Sequence, residues 1–469
     1  MTATLTDLPT STTRVRRWAA LPVILAAAFM VTLDFFIVAV AIPSTQRDLS
    51  ASTADTQLIV AGYGLALASS LILGGRIGDL YGRKRMFLVG LALFTVASAA
   101  CGLAPSAGTL IAARVCQGVA AALLTPQGLA ILRQAYEGAD RARALTAYAL
   151  TLGLAAVGGQ LVGGLLINAD IAGLGWRSCF LVNVPVGVLA LAVTPRLLPD
   201  AAPTGGGLDL TGAVLVTGGL LAVVLPLVEG REHGWPLWTW LCLAAAVPLG
   251  VGFVAHQRRL AARGGTPLVH PALFAHRSFG VGLAASVAFQ AGMGSFFYVL
   301  ALYLQAGHGL GPLGSGVAFT PIALGYVGTS LVAGRVAARI GRQALALGGL
   351  GMAAGLAITY VAVSAGSVGA LVPGFVVAGA GMGLVLAPLT ALVLARVPMA
   401  HGGAAAGALS TAQQVGGALG VAVIGVLFFG RLDAGYAVAF RAGLVYLVVA
   451  ALAVVVLAQV LPRPSAGQR

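Results

Sequence analysis

The chain has 469 residues, of which 59% are hydrophobic and only 9% are charged. Soluble domains carry about 25% charged residues, so this composition excludes an ordinary soluble enzyme or binding module. The net charge of +14 does not indicate a nucleic-acid partner, because the basic residues fall in short loops between long apolar runs.

Fourteen apolar runs are long enough to cross a bilayer as helices, each of which needs about 20 residues. In chain order they are 18–42, 57–75, 86–103, 109–132, 145–168, 178–196, 209–228, 236–255, 279–304, 315–334, 343–363, 369–394, 403–428 and 437–460. The sequence therefore predicts an all-α integral membrane protein with 14 transmembrane helices. An even number of spans places both termini on the same side.

The first run contains a single charged residue, Asp34. A carboxylate inside the hydrocarbon core costs a few kcal/mol or more, so an ionisable group at this depth is a candidate functional residue. We expect Asp34 to take part in proton coupling. A purely structural pairing is the alternative.

The orientation in the membrane follows from the loops, because cytoplasmic loops hold an excess of Lys and Arg. With the amino terminus inside, 21 of the 27 basic residues lie on the cytoplasmic side, five lie outside, and Arg114 is left within the fourth run. Arginine also outnumbers lysine 26 to 1, which indicates a GC-rich genome. The sequence therefore predicts a multi-pass protein of a bacterial inner membrane with both termini in the cytoplasm.

A short motif occurs twice in the chain. Residues 75–83 read GRIGDLYGR after the second run, and residues 334–342 read GRVAARIGR after the tenth, 259 residues later. This repeat predicts two related six-helix bundles at 18–198 and 279–460, with two inserted transmembrane helices at 209–255. Parallel repeats of six spans hold a substrate site between the halves, near the middle of the membrane.

Several motifs, in this order and spacing, resemble the signatures of the major facilitator superfamily, and within it those of the fourteen-span drug:proton antiporters. They are Leu33-Asp34 and residues 40–43 in the first run, residues 75–85 after the second, Arg114, Gln117 and Gly118 in the fourth, residues 159–164 in the fifth, and residues 176–187 at the start of the sixth. The resemblance covers nearly the whole chain. It implies a proton-coupled exporter of amphipathic small molecules such as drugs or antibiotics.

The resemblance assigns a role to the loop after the second run. This gating loop contains Gly75, Asp79, Gly82 and Arg83, and the family pattern implies that Asp79 and Arg83 bridge helices and hold the outward-open state. The second copy of the loop has Ala338 in place of the aspartate, so we expect its interaction to be degenerate.

The fifth run carries the counterpart of the family's antiporter motif, formed by Gly159, Gln160, Gly163 and Gly164. We expect these glycines to allow close packing against a helix of the other half, since small residues let helices approach in lipid. The family usually has proline at the position of Gln160, so we expect the bend of the fifth helix to differ.

Depth in the membrane predicts a partner for Asp34. At about 1.5 Å per residue, Asp34 lies roughly 24 Å and Arg114 roughly 22 Å from the inner end of their spans. Burial disfavours a charged carboxylate, whereas a nearby arginine favours it. An acid held between these two influences can bind and release a proton. The alternative for Arg114 is a structural clamp to backbone carbonyls or to Gln117.

Seven further residues are candidates for lining a substrate cavity: Met30, Tyr63, Gln117, Gln127, Gln290, Tyr298 and Gln413. Several of the polar ones are expected to make only hydrogen bonds between helices. The following aromatic residues either line an apolar drug pocket or face lipid, and we expect each of them to face lipid: Phe29, Phe35, Phe36, Phe289, Phe296, Phe297 and Trp18.

The remaining chemistry is sparse. The six histidines are scattered without metal-ligand spacing, and the four cysteines form no CxxC pair. The sequence therefore predicts no enzyme, no cofactor, no metal site and no direct use of ATP. Its predicted partners are protons, membrane lipids and a small lipophilic substrate, bound by a monomer. A lipid or lipid-linked metabolite transporter of the same fold is the alternative, for which Asp34 is dispensable.

Overall fold

The computed structural model describes residues 11–198, 207–275, 277–394, 397 and 402–461, and this part of the chain contains helices and no β-strand. The α-helices are α1 Ser11–Leu49, α2 Thr53–Tyr81, α3 Arg83–Gly102, α4 Ala107–Ala135, α5 Gly138–Ala169, α6 Ser178–Leu181, α7 Asn183–Leu197, α8 Leu210–Glu229, α9 Leu237–Ala262, α10 Arg277–Leu302, α11 Pro312–Ala318, α12 Thr320–Ile340, α13 Gln343–Ala362, α14 Val368–Leu394, α15 Gly402–Phe429 and α16 Tyr436–Val460. Of the arginines assigned to the cytoplasm, Arg396, Arg463 and Arg469 lie outside the described residues.

The number of spans depends on how two bent helices are counted. Within the described residues, 12 helical stretches are long and apolar enough to span a membrane by themselves, and 14 are reached when each of two bent pairs counts as one span. The bent pairs form α2, with a 48° bend, and α5, with a 44° bend. α6 with α7 forms the sixth span, and α11 with α12 forms the tenth. The prediction of an all-α membrane protein is confirmed.

The two copies of the repeated motif use the same backbone device. Gly82 lies between α2 and α3 with φ 92°, and Gly341 lies between α12 and α13 with φ 58°. Glycine adopts positive φ without the steric cost that a Cβ atom brings. The chain therefore reverses at the equivalent glycine in both copies.

Helices α1 to α7 pack on one another, with α4 against α2 and α3 and with α1 against α5 and α7. Glycines permit the closest approaches. A Cβ atom at Gly118 of α4 would lie 2.4 Å from the backbone oxygen of Tyr63 on α2, and one at Gly74 would lie 2.2 Å from the oxygen of Ala122. No larger residue fits at these positions unless the two helices separate.

Helices α10 to α16 form a second group, in which α14 packs on α12 and α13 and α10 packs on α15 and α16. The two groups meet through α2 with α15, α5 with α11, and α1 with α10. Three contacts that join them are the Thr56 hydroxyl with the Tyr298 hydroxyl at 3.1 Å, the Gln305 amide with the Val40 carbonyl at 2.9 Å, and Gly164 against Pro312. These residues lie near the end of the bundle that carries the α1–α2 turn, which the sequence places outside.

The inserted helices α8 and α9 pack on each other, and α8 also contacts α2 and α15. Glu232, in the turn after α8, accepts hydrogen bonds from the Thr53 hydroxyl and from the backbone N–H of Ala54, at 2.7 Å for the latter. It therefore caps the start of α2. Burial raises the pKa of Glu232, but hydrogen bonds from Thr53, Ala54 and Ser52 together outweigh burial and leave the pKa below its ordinary value.

The opposite end of the inserted pair is held by Asp209. Its carboxylate accepts hydrogen bonds from the backbone N–H of Gly212 at 2.7 Å and from the Gln257 amide at 2.6 Å, and it lies 2.7 Å from His256 Nε2. Burial raises the pKa of Asp209, but the hydrogen bonds from Gly212, Gln257 and His256 outweigh it and lower the pKa overall. The Gln257 oxygen also accepts from the Val269 N–H at 3.0 Å, which ties in the segment before α10.

Candidate functional site

Asp34 of α1 is completely buried, and three side chains donate hydrogen bonds to its carboxylate. Arg114 Nη1 donates to Oδ2 at 2.5 Å, while Gln117 Nε2 and Asn183 Nδ2 donate to Oδ1 at 2.8 and 2.9 Å. The pairing of Asp34 with Arg114 that depth predicts is present. A buried ion pair whose remaining lone pairs are also satisfied is the arrangement that lets two charges persist inside a membrane protein.

Arg114 makes the predicted ion pair with Asp34. It also makes the hydrogen bonds to Gln117 and to a backbone carbonyl that the alternative, structural role predicts. Its Nη1 donates to Gln117 Oε1 at 2.7 Å, and its Nε donates to the Ile59 carbonyl at 3.1 Å. The guanidinium lies 4.1 Å from the centre of the Tyr63 ring, within range of a cation–π interaction. Nη2 of Arg114 is buried without a hydrogen-bond partner in the described structure.

The network around Asp34 extends to a further helix through Ser98, whose hydroxyl accepts from Gln117 Nε2 at 2.8 Å. It therefore connects α1, α2, α3, α4 and α7. Sequence reasoning missed Ser98, because a serine in an apolar run is common and carries no signal of its own. Asn183 is more noticeable, since it stands in the motif at the start of the sixth span.

The segment of α1 that carries Asp34 also contacts the other group of helices. Phe36, two residues later, lies on the opposite side of the helix. Its ring centre is 5.5 Å from that of Phe297 on α10, and its carbonyl accepts a hydrogen bond from Gln160 Nε2 of α5 at 2.6 Å. Within one turn of α1, Asp34 therefore lies in the buried network on one side of the helix, and Phe36 lies at the boundary between the two groups on the other side.

That boundary contains an apolar crevice. Ala156 of α5 lines it on one side, and residues of α10, α12 and α14 and the α11–α12 junction line the other, among them Met293, Phe297, Phe319, Tyr326 and Met382. Its free volume in this conformation is about 20 Å³, which is room for one water molecule. A substrate therefore requires the two groups to move apart.

The expectation that the phenylalanines face lipid is wrong for three of them. Phe297 is buried and lines the crevice, and Phe289 and Phe296 are buried in the hydrophobic core. The reason is that α10 is surrounded by α15, α16, α14 and α1, so few of its faces reach lipid. Apolar side chains alone do not show which face of a membrane helix points to lipid.

None of the seven predicted cavity residues lines this crevice. Tyr63 and Gln117 belong to the network around Asp34, and Met30 is buried in the core of the N-terminal helices. In this conformation these three residues make packing contacts and hydrogen bonds inside one group of helices, and their cavity role stays a prediction.

The other four candidates have different surroundings. Gln127 donates to the Gly74 carbonyl at 2.8 Å and so connects α4 to α2, and Tyr298 contacts Thr56. Gln127 and Tyr298 thus make contacts between helices in this conformation, and their cavity role stays a prediction. Gln290 and Gln413 are partly exposed, so their cavity role stays a prediction.

In the gating loop, Arg83 and Asp79 form an ion pair across Gly82, with Nη2 and Oδ1 3.0 Å apart. The pair joins the end of α2 to the start of α3. Gly75 has only ordinary packing around it, since a Cβ atom there would lie 3.7 Å from the Pro126 side chain. Asp79 and Arg83 are therefore the loop residues that bind each other, while their role in a conformational state stays a prediction.

The second copy of the loop has replaced this ion pair with a helix cap. Ala338 has no carboxylate to offer, and Arg342 Nη1 donates to the carbonyl oxygens of Gln459, at 2.8 Å, and Leu461. A cation at the carboxyl end of a helix is favoured by the unsatisfied carbonyls there. The equivalent arginine thus stabilises the end of α16.

The glycines of the fifth span pack differently from the prediction. Cβ atoms at Gly159 and Gly163 would lie 2.9 Å from Phe36 and 2.6 Å from Val40, both on α1 of the same group. Of the three glycines in this motif, only Gly164 faces the other group. A Cβ atom added there would lie 2.5 Å from the backbone oxygen of Pro312. Residues four apart share a face of a helix and the adjacent residue is rotated by about 100°, so the motif serves two interfaces.

Gln160 stands close to the bend of α5. The bend of 44° separates Leu150–Ala156 from Gly158–Ala169, so the helix bends although the usual proline is absent. Residues 158 and 159 are both glycines, and such a pair is a known cause of kinks.

Among the described residues no three or more His, Cys, Asp or Glu side chains are grouped as metal ligands.

Comparison with known proteins identifies a family. The family model described as Major Facilitator Superfamily matches residues 24–421, with a further match at 283–468. The chain is 42% identical to a protein named as a probable actinorhodin transporter of Streptomyces coelicolor, over 89% of this chain and 73% of that protein. It is 37% identical to the tetracenomycin C resistance and export protein of Streptomyces glaucescens, over 90% of this chain and 78% of that one.

Solved structures show the same fold at low sequence identity. A bacterial homolog of the lysosomal transporter Spinster, solved in an inward-facing and unoccupied conformation, aligns with a TM-score of 0.68 at 17% identity, over 95% of this chain and 98% of that one. A peptide transporter solved in complex with sulfate aligns with a TM-score of 0.68 at 16% identity, over 94% and 95% of the two chains.

Proposed function

The chain belongs to the major facilitator superfamily, and from that premise we propose that it is a proton-coupled exporter of amphipathic small molecules such as drugs or antibiotics. The names of its relatives support this cargo, since they describe transport or export of antibiotics. The family and the fold are those of transporters, and we propose no enzymatic activity. The observation that carries the proton coupling is the buried network around Asp34.

The proposed coupling step is protonation of Asp34. A proton on its carboxyl group removes the negative charge that pairs with Arg114 and reduces the strength of that 2.5 Å contact. Arg114 keeps its bonds to Gln117 and Ile59, so it stays in place while α1 is released. Since Asp34 has no exposed surface here, proton access requires another conformation.

The movement of α1 reaches the substrate through Phe36. Its ring contacts Phe297 in the wall of the crevice, so a displacement of α1 changes the contact between the two groups of helices. We propose that the charged form of Asp34 and its protonated form favour different arrangements of the two groups. Exchange of a proton for substrate follows if each arrangement opens the crevice to one side of the membrane.

The contacts between the groups support an assignment of the present conformation. They involve residues at the predicted outer end, such as Thr56, Tyr298 and Gln305, so we propose that this conformation is closed to the outside. The Asp79–Arg83 pair would then contribute to the cytoplasmic closure of the opposite state. The packing of the helices supports two six-helix bundles, at 18–198 and 279–460. The distribution of Lys and Arg among the loops supports the proposal that both termini lie in the cytoplasm, in a bacterial inner membrane.

Reconstitution tests this function. We expect proteoliposomes with an imposed pH gradient to accumulate actinorhodin or tetracenomycin C, the compounds named for two relatives, and Asp34→Asn to bind them without accumulating them. Asp48→Asn is the matched control, because Asp48 lies on the same helix with 47% of its side chain exposed. We expect this control to transport like the wild type.

Three outcomes distinguish the alternatives. Accumulation by Asp34→Asn equal to that of the wild type would reject the coupling role of this acid. Movement of lipid between leaflets that is indifferent to the Asp34→Asn change would favour a lipid transporter of the same fold. Absence of any movement driven by the pH gradient for either compound would contradict the proposed exporter of these cargoes.

A further inference from the structure

The crevice between the two groups of helices has aromatic walls. Phe297 and Phe319 are stacked with their ring centres 5.4 Å apart and their planes inclined by 11°. Phe36 meets Phe297 edge-on from the other group, at 5.5 Å and 66°. Aromatic rings in the wall of the crevice offer stacking surfaces to another flat ring, since such rings prefer an offset or edge-to-face arrangement.

The crevice also lacks a negative charge. Its wall residues are apolar or aromatic, with the hydroxyl of Tyr326 as a polar group. Residues 277–469 contain nine arginines and a single acid, Asp433, which is exposed in the turn between α15 and α16. The acid inside α1, Asp34, has no exposed surface, and its oxygens already accept from Arg114, Gln117 and Asn183.

A cationic ligand therefore has no carboxylate to pair with in this crevice. Moving a positive charge from water into a protein interior is strongly unfavourable when the charge is left unpaired. A cation–π contact with the phenylalanines returns less than this desolvation cost, so the rings do not offset it. The excess of arginines in this half adds an unfavourable potential for cations.

From these observations we infer that the crevice binds uncharged, flat, polycyclic aromatic compounds and discriminates against permanent cations of the same shape. This inference rests on the proposed export function and specifies its substrate class. Coupling energetics agree with it. Exchange of one proton for an uncharged molecule is driven by both the pH difference and the membrane potential. Exchange for a monovalent cation moves no net charge, so only the pH difference drives it.

A matched pair of probes tests the inference. Acridine, at a pH where it is uncharged, and N-methylacridinium have the same ring system and differ by a methyl group and a positive charge. We expect the wild-type protein in phosphatidylcholine nanodiscs to bind acridine more than about tenfold more tightly, which corresponds to about 1.4 kcal/mol. Empty nanodiscs provide the blank for partition into lipid. Equal binding, or tighter binding of the cation, would overturn the inference.

Variants identify the crevice as the place of binding. Phe319→Leu removes a ring at similar volume, and we expect it to weaken acridine binding about threefold or more, as a lost stacking contact does. Phe440→Leu is the control, because Phe440 stacks on Tyr303 at 4.3 Å and 10° but does not line the crevice. Equal weakening by both variants would place the probe elsewhere and reject the site.

A variant that gains cation binding tests the inference without relying on weakened binding. Met382→Glu places a carboxylate in the crevice wall, and we expect it to bind N-methylacridinium more tightly than the wild type does. An unchanged preference in a folded Met382→Glu protein would contradict the charge argument. Transport separates this inference from the proposed function: pH-driven transport of N-methylacridinium in preference to acridine rejects only the substrate class, whereas no pH-driven transport of any probe rejects the exporter.

Discussion

The ion pair between Asp34 and Arg114 leads to a double-mutant prediction. Arg114→Gln leaves the carboxylate of Asp34 with only Gln117 and Asn183 as donors, and Asp34→Asn leaves a buried guanidinium without its counter-charge. Both side chains are 0% exposed. Removing one partner of a buried pair costs about 3–5 kcal/mol, because the remaining charge stays buried.

The double variant removes both charges at once. We expect it to lose only about 1–2 kcal/mol relative to wild type, because amide groups can still hydrogen-bond to each other in place of the ions. The two single losses, together at least about 6 kcal/mol, minus a double loss of at most about 2 kcal/mol, give an interaction energy of at least about 4 kcal/mol. Unfolding of the purified proteins in bicelles, followed by steric trapping, measures these free energies.

The same set of variants separates folding from coupling. We expect the double variant to be nearly as stable as wild type and yet unable to accumulate substrate, because it has no acid to protonate. The deficit of Arg114→Gln is expected to shrink as the pH falls, since a protonated carboxyl carries no charge. If the losses of the single variants add up in the double variant, the two side chains do not stabilise each other and the argument fails.

Three further predictions concern the surrounding structure. Gly118→Ala is expected to lower the free energy of unfolding by about 1–3 kcal/mol, because the added methyl group overpacks the contact between α4 and α2. Gly108→Ala is the control and should leave the free energy of unfolding unchanged in the same assay, because a Cβ atom there meets nothing within 4 Å. The pKa of Asp209 is lower in the folded protein than its ordinary 3.8. Its contribution to stability is therefore present above pH 3.8 and is lost as the pH falls below that value. Thermal unfolding at decreasing pH should show this loss of stability in the wild type and a smaller loss in Asp209→Asn. Arg342→Gln should accelerate hydrogen exchange at the end of α16, and Arg339→Gln, an exposed arginine nearby, should not; equal rates in both would remove the capping role.

Much of the fold follows from local properties of the chain. Apolar runs of sufficient length determine the transmembrane segments, because every backbone polar group in lipid must be satisfied inside a helix. The repeated motif has glycine at the same position in both copies, Gly82 and Gly341. The chain reverses at both positions with a positive φ, which glycine adopts readily. The predicted ends were less accurate: α1 continues to Leu49, beyond its apolar run, because polar residues also form helix outside the hydrocarbon.

Part of the candidate site was also accessible from the sequence. Asp34 and Arg114 are isolated charges in apolar runs at equal depth, so the cost of burying each alone predicts that they meet. Gln117 follows Arg114 by three residues and shares its face of α4. These are conclusions from spacing along one helix or from membrane depth.

The sequence by itself determined which segments are helices and which charges are buried, because those depend on residues within a few turns of each other. It also showed how the chain repeats, because the two copies of the motif are alike as strings of residues. The tertiary structure decided the rest: Ser98 and Asn183 join the acid, Glu232 caps α2, Gln127 bridges α4 to α2, and two glycines of the fifth span face α1. The physical reason is the rotation of each helix about its own axis. A turn of about 100° per residue moves a side chain from lipid to core, and only packing against all neighbouring helices sets that angle.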